Sequence, residues 1–257
     1  MDPKKPRIAC IIPARLESTR LPRKVLLPIG EKTLIQHVHD NACDAKLVDE
    51  VYIATDSEEV KTAVESFGGK VIMTPSEGIF SGSDRVAHAA RTLSDDVEIV
   101  ANMQGDEPFS TGTMIDEMLQ PLVDDASLKF STLCREITKE EEFDDPGFVK
   151  AVRDKHGNGL YFSRQRIPYP RNTENYKLYE HLGLYGFRRE ALQMFVSWEP
   201  TPLEITESLE MLRIIEHGEK LRVVETKEDT SFYLSVDTKE DLEKANRYYE
   251  EMKTMIR

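Results

Sequence analysis

The sequence has few cysteines and no long apolar run, and each scarcity excludes a class of protein. Its three cysteines, Cys10, Cys43 and Cys134, are widely spaced along 257 residues and form no CxxC pair. This spacing supports neither a disulfide framework nor a zinc site, so we expect all three to be buried as small apolar groups. No apolar run approaches the roughly 18 residues of a membrane helix, and the first is too short for a secretory signal. We therefore expect a cytoplasmic protein with no membrane partner.

Positive charge is also scarce, because 34 Lys and Arg residues face 47 Asp and Glu residues, for a net charge of −13. An acidic chain is repelled by nucleic-acid backbones, so we expect no nucleic-acid partner. Residues 1–24 are the exception, with seven of the cations and only two of the acids. A cationic segment in an acidic protein suits a small anionic ligand, although a basic surface loop explains it equally well.

The order of apolar and amphipathic segments predicts an α/β protein. Strand patterns at residues 7–12, 50–56, 70–74 and 97–104 alternate with helical patterns, which is typical of parallel strands joined by helical crossovers. We predict one α/β domain over residues 1–257, with a mainly parallel central sheet flanked by helices. A smaller β-containing lobe is predicted to be inserted at roughly residues 130–190.

Two later segments complete the predicted elements. Residues 201–218 have the spacing of one helix, with Glu207, Glu210 and Arg213 on a partly shared exterior face and Gly218 as its end. Residues 235–237 are predicted as the end of a strand that precedes the last helix.

The stretch IIPARLESTRLPRKVL places four cations after the first predicted strand. Arg15, Arg20, Arg23 and Lys24 lie close together, and Pro13 and Pro22 limit the freedom of the loop. Cations and free backbone N–H groups at a strand end are what a phosphate group needs. The chain has neither the GxGxxG dinucleotide motif nor the GxxxxGK[ST] loop, which argues against a dehydrogenase or a P-loop ATPase.

Two aspartates follow predicted strand ends. Asp106 lies in NMQGDEP after one strand, and Asp237 lies in SVDTKEDL after another. Carboxylates at the carboxyl edge of a sheet are ligands for Mg²⁺ shared with substrate phosphates. Each aspartate alone could instead cap the following helix. Together with the cationic loop they predict a metal–triphosphate site.

These segments resemble the 3-deoxy-D-manno-octulosonate (Kdo) cytidylyltransferases, also called CMP-Kdo synthetases, over nearly the whole chain. The resemblance rests on seven motifs in order, namely PAR with STRLP and Lys (Pro13–Lys24), SGSDR (Ser81–Arg85), QGDEP (Gln104–Pro108), YFSR with IP (Tyr161–Pro168), HLGLY (His181–Tyr185), PLE with two further Glu and Arg (Pro202–Arg213) and VDTKED (Val236–Asp241).

The resemblance implies that CTP and an acidic eight-carbon sugar, Kdo, give CMP-Kdo and pyrophosphate for lipopolysaccharide biosynthesis, with Mg²⁺ as cofactor and a homodimer as the assembly. It implies catalytic roles for Arg15, Lys24, Asp106 and Asp237, of which the two aspartates ligate the metal. The implied nucleotide-binding residues are Pro13, Ala14, Arg15, Arg20, Lys24, Ser81, Arg85 and Asp106. The implied sugar-binding residues are Gln104, Arg164, His181, Tyr185, Glu207 and Glu210.

The chain also departs from the family pattern. Arg23 stands where the family usually has Gly, Val25 where it has Pro, and Met211 where it often has Gln, and the segment before Ser81 is longer. These departures leave 8-amino-Kdo or another 2-keto sugar acid, such as a sialic acid, as the alternative acceptor. We expect Arg23 to contribute least to substrate binding. A non-catalytic nucleotide-binding regulator is disfavoured because both aspartates are present.

Overall fold

The computed structural model describes residues 5–174 and 176–255, which belong to two compact units. The first unit comprises Met1–Asp116 with Asp229–Arg257, and the second comprises Glu117–Glu228. The predicted lobe at residues 130–190 lies inside the second unit. Within the two described ranges, no helix is both long and apolar enough to cross a bilayer.

The first unit contains a four-stranded parallel sheet in the order β6–β1–β4–β5. Its elements up to the division, which falls within α4, are β1 (Arg7–Pro13), β2 (Pro28–Ile29), β3 (Lys32–Thr33), α1 (Leu34–Cys43), β4 (Glu50–Thr55), α2 (Glu58–Ser66), β5 (Lys70–Met73), α3 (Gly82–Ala90), β6 (Val97–Met103) and α4 (Gly112–Asp124). The strands of the sheet are those predicted from the sequence, and the α/β class with its mainly parallel sheet is confirmed.

Local sequence explains these elements. Ile8 to Ile12 are fully buried in β1, which has a parallel neighbour on each side, and this double burial accounts for the unbroken apolar run. Ser57 caps α2 by accepting a hydrogen bond from the Val60 N–H at 3.3 Å, as its side chain predicts. Helix α3 packs on β1 and β4, and α2 packs on β4 and β5.

The second unit is built mainly from antiparallel strands. Its elements are β7 (Phe130–Glu136), β8 (Lys150–Arg153), β9 (Gly159–Ser163), β10 (Tyr179–Arg188), α5 (Arg189–Ser197), α6 (Pro202–Glu207), α7 (Met211–Glu216) and β11 (Leu221–Glu225). The strand order is β11–β7–β10–β8–β9, with β11 parallel to β7 and the other pairs antiparallel.

The helix predicted over residues 201–218 is wrong, because α6 and α7 are separate. Ser208 follows α6 with φ 54° and ψ 51°, a left-handed conformation that ends a helix. Arg213 does not lie on an exterior face either. It is buried and its Nε lies 2.7 Å from Glu204 Oε2, so the pair bridges the two short helices.

The strand predicted at residues 235–237 is also wrong. This segment precedes α8 (Lys239–Met255), which belongs to the first unit, and has no regular secondary structure. Val236 is fully buried, and its N–H donates to the Asp106 carbonyl oxygen at 2.9 Å. This bond holds Asp237 beside the segment that carries Asp106.

The cysteine prediction holds for two of the three residues. Cys10 and Cys134 are buried, and burial raises the pKa of each thiol to about 12. Cys43 is exposed at the C-terminal end of α1, so its predicted burial is wrong. Neither Cys10 nor Cys134 therefore ionises near neutral pH.

Candidate active site

A cavity of about 370 Å³ opens in the first unit beyond the carboxyl ends of β1 and β6. Open α/β sheets bind ligands at this edge. Gly105 lets the loop after β6 pass close to the end of β1, since a Cβ there would lie 2.7 Å from the Pro13 carbonyl oxygen. The lining residues are Pro13, Arg15, Glu17, Ser18, Thr19, Arg20, Lys24, Val25, Ile79, Phe80, Ser81, Gly82, Arg85, Gln104, Gly105, Asp106 and Asp237.

Lys24 joins the two aspartates of the predicted metal site. Its Nζ lies 2.8 Å from Asp106 Oδ2 and 2.9 Å from Asp237 Oδ1, and its side chain is only 12% exposed. Residues 106 and 237 are far apart in sequence, yet one ammonium group contacts both. Neither aspartate has to be explained as a helix cap, because Thr111 caps α4 and Thr238 caps α8 through their hydroxyl groups.

The charges of this cluster stabilise one another. Burial alone would lower the pKa of Lys24, but the Asp106 and Asp237 carboxylates outweigh it and raise that pKa. Burial alone would raise the pKa of Asp237, but hydrogen bonds and charge from Lys24 and Arg20 lower it. Lys24 and Asp237 are therefore both charged at neutral pH.

The arginines of the opening loop have different partners. Arg20 Nη2 lies 2.9 Å from Asp237 Oδ2, and Arg23 pairs with Glu59 and does not line the cavity. Arg15 is exposed and lines the cavity, and it makes no ion pair with any residue in the described ranges. Arg15 is thus available to an anionic ligand. Ala14, the first residue after β1, is buried immediately before it.

Ser81 and Arg85 line the cavity at the start of α3. Ser81 begins α3 with a reciprocal capping box, in which its Oγ accepts from the Asp84 N–H at 3.1 Å. Arg85 is 6% exposed, donates to Thr74 and lies 2.9 Å from Asp56 Oδ2. Asp56 is a residue that the sequence analysis missed, although it follows β4 as Asp106 follows β6 and the same strand-end signal identifies it.

The residues predicted to bind sugar belong to both units. Gln104 lines the cavity of the first unit, and its Nε2 donates to Asn102 Oδ1 at 3.1 Å. In the second unit, Glu207 accepts from Ser163 Oγ at 2.7 Å and from the Arg164 N–H at 3.0 Å. The Arg164 guanidinium in turn donates Nε to the Glu207 carbonyl oxygen at 2.9 Å. The structure thus brings Arg164 and Glu207 together.

His181 and Tyr185 also lie together, on β10, with ring centroids 5.4 Å apart. His181 is 8% exposed, and burial lowers its pKa to about 3. Thr132 Oγ1 donates to the Leu184 carbonyl oxygen at 2.7 Å, so His181 Nε2, 2.9 Å away, must donate to Thr132. The neutral ring therefore carries its proton on Nε2. Glu210 is the residue that precedes α7.

The donor set in the cavity fits Mg²⁺ bound jointly with phosphates. Asp106 and Asp237 supply hard carboxylate oxygens close enough to share one cation, as Lys24 shows. Mg²⁺ is typically held by one or two carboxylates plus substrate phosphates and water. The described residues contain no group of three or more His, Cys, Asp or Glu side chains that could hold a metal by themselves.

A parallel sheet whose edge carries a cationic loop, a capped helix start and two converging carboxylates is suited to binding a nucleoside triphosphate with a metal, as a nucleotidyltransferase requires. Residues 9–221 match the sequence model of the cytidylyltransferase family. The chain belongs to this family.

Similar proteins agree with this assignment. The chain is 44% identical over 249 residues to a 3-deoxy-manno-octulosonate cytidylyltransferase of Geobacter metallireducens, covering 93% of this chain and 96% of that protein. It is 41% identical over 242 residues to an 8-amino-3,8-dideoxy-manno-octulosonate cytidylyltransferase of a Shewanella species, covering 93% and 97%. A solved structure of CMP:2-keto-3-deoxy-manno-octonic acid synthetase complexed with CTP matches with a TM-score of 0.89 and 38% identity, covering 96% of this chain and 99% of that one.

Proposed function

We propose that this chain transfers the cytidylyl group of CTP to Kdo and releases pyrophosphate. The observation that carries the proposal is the contact of Lys24 with both Asp106 and Asp237 in a cavity that Arg15 also lines. The names of the similar proteins support CTP as donor and an eight-carbon sugar acid as acceptor.

The cations of the cavity would bind the triphosphate. Arg15 lines the cavity, and its planar guanidinium has no ion-pair partner in the described part of the chain. The Arg20 side chain contacts Asp237 but is still 65% exposed, so it too can reach a phosphate. Lys24 donates two of its three N–H bonds to the carboxylates, so the third is left for a phosphate oxygen.

We propose Mg²⁺ as the cofactor, held by Asp106 and Asp237. Bound Mg²⁺ would supply positive charge at the phosphates and lower the pKa of the sugar hydroxyl, so no side-chain base is required. Before Mg²⁺ binds, Lys24 keeps the two carboxylates within reach of one cation, which preorganises the site.

The chemical step would be a direct displacement. The anomeric hydroxyl oxygen of the sugar forms a bond to the α-phosphorus. The bond between the α-phosphorus and the oxygen that bridges it to the β-phosphorus breaks, and the hydroxyl proton is released to solvent. Pyrophosphate leaves with the electron pair, and Arg15 and Lys24 stabilise its charge. A covalent intermediate on a cysteine is not supported, because Cys10 and Cys134 are buried with raised pKa values and Cys43 does not line the cavity.

We further propose that the enzyme is a cytoplasmic homodimer that activates Kdo for lipopolysaccharide biosynthesis. The resemblance to a family that is typically dimeric supports the assembly, and the sugar named for the similar proteins supports the pathway. Light scattering of the purified protein would measure its mass, and a mass of about one 29.4 kDa chain would contradict the dimer.

The acceptor is tested by a pyrophosphate-release assay with Mg²⁺, CTP and a panel of sugar acids. We expect the highest kcat/KM with Kdo, compared with 8-amino-Kdo and a sialic acid. A preference of tenfold or more for 8-amino-Kdo would contradict Kdo as the acceptor and leave the reaction intact. No release with any member of the panel would contradict the proposed function itself.

A further inference from the structure

Phe80 is an aromatic side chain that the proposed chemistry leaves without a role. It lines the cavity, and 91% of its surface is exposed, the largest value among the exposed large apolar residues of the described ranges. Burying an aromatic ring is favourable, so a ring that is exposed in the lining of a cavity points to a ligand that covers it.

The backbone at Phe80 is fixed although its side chain is exposed. Its N–H donates to Asp84 Oδ2 at 3.1 Å, and the Ser81 N–H donates to the same oxygen at 2.9 Å. The Ser81 hydroxyl closes the capping box at the start of α3. Phe80 is therefore held at the cavity by the same contacts that begin the helix.

The position of Phe80 suits the base of a nucleotide better than its phosphates. The phosphate-binding cations Arg15, Arg20 and Lys24 all come from the loop after β1, whereas Phe80 comes from the segment before α3. That segment lies next to the end of β1, since a Cβ at Gly82 would lie 3.4 Å from Pro13 Cγ. A pyrimidine ring has the flat apolar surface on which an aromatic side chain stacks.

We propose that Phe80 stacks on the pyrimidine ring of the bound nucleotide and shields it from water, which makes it a further binding residue of the proposed reaction. The inference rests on the proposed nucleotide-binding function. Loss of one base–aromatic stack weakens binding by about tenfold or more.

The test compares ligands that have the base with one that lacks it, by calorimetric titration. Phe80→Ala should weaken CTP and CMP binding about tenfold and leave inorganic tripolyphosphate binding unchanged, while Phe80→Trp should bind all three as the wild type does. Met255→Ala removes another exposed apolar side chain, 73% exposed on α8, and should change nothing.

The Trp variant gives an independent optical signal. The wild type has one tryptophan, Trp198, and provides the baseline. CMP should quench the added fluorescence of Phe80→Trp by stacking, and tripolyphosphate should not.

Three outcomes would overturn the proposal. Unchanged CTP affinity in Phe80→Ala would show that the ring does not contact the base. Equal weakening of CTP and tripolyphosphate would show a general effect of the segment on the cavity. A wild-type protein that binds no CTP would overturn this proposal and the proposed function together, so the two failures are distinguishable.

Discussion

At the scale of single residues, the cavity is organised by charge balance. Lys24 and Arg20 face Asp106 and Asp237, so these four side chains have no net charge, and Arg15 adds one cation that has no ion-pair partner among the described residues. Arg85 and Glu17 also line the cavity, so its lining has four cationic side chains against three carboxylates, and a strongly acidic protein keeps a local excess of positive charge where a triphosphate would bind. The remaining cation of the loop, Arg23, pairs with Glu59 instead.

Replacing either aspartate with its isosteric amide tests the metal site. Asp106→Asn and Asp237→Asn should each lower kcat by about 100-fold or more, because an amide neither neutralises a cation nor binds Mg²⁺ as tightly. Steady-state pyrophosphate release measures the effect. Asp96→Asn is the matched control, since Asp96 is in a surface ion pair with Arg7. Near-normal turnover in either site variant would remove that carboxylate from the metal site.

At the scale of elements, the turn from the cationic loop into the short 3₁₀ helix Lys24–Leu26 has one strained residue. Arg23 precedes this helix with φ 60° and ψ 22°, a left-handed conformation that costs a non-glycine residue about 1–2 kcal/mol. This conformation gives a physical reason for the Gly that the resemblance leads us to expect at this position. The departure therefore changes the stability of the turn without changing the cavity, which Arg23 does not line.

Relieving that strain should stabilise the protein. We expect the free energy of unfolding of Arg23→Gly to exceed that of Arg23→Ala by about 1 kcal/mol, since both lose the exposed pair with Glu59 and only Gly adopts positive φ at little cost. Urea denaturation of both variants measures the difference. Equal stabilities would contradict the strain at this turn.

At the scale of the whole molecule, stability should depend on pH through His181. Its folded pKa of about 3 lies below the ordinary value of 6.5, because the ring is buried. Between these values the unfolded chain binds a proton that the folded chain does not. The free energy of unfolding therefore falls as pH is lowered from 6.5, by up to about 1.4 kcal/mol per pH unit for this one proton.

His181→Gln isolates this contribution. The variant should lose less stability than the wild type when urea denaturation is repeated from pH 6.5 down to about pH 5. His156→Gln makes the same replacement at an imidazole that is exposed in a turn and is the matched control for the exchange of histidine for glutamine. A His181→Gln slope equal to the wild-type slope would contradict the burial of a neutral ring.

The sequence predicted the parallel strands of the first unit well, because buried strands require apolar runs such as that of β1. It also predicted that Asp106, Asp237 and Lys24 share one site, and in the structure Lys24 contacts each of the two aspartates. It failed where long-range contacts decide the outcome. The burial of Arg213 depends on Glu204 across a helix break, and residues 235–237 are held without a strand by contacts such as the bond from the Val236 N–H to the Asp106 carbonyl oxygen.

The most direct test of the central claim follows phosphorus during the reaction. ³¹P NMR of the wild-type protein with Mg²⁺, CTP and Kdo should show loss of the three CTP signals and the appearance of one phosphodiester and of pyrophosphate in equal amounts, only when the sugar is present. Formation of CDP and inorganic phosphate, or of free CMP without a sugar phosphodiester, would contradict transfer of the cytidylyl group to the sugar.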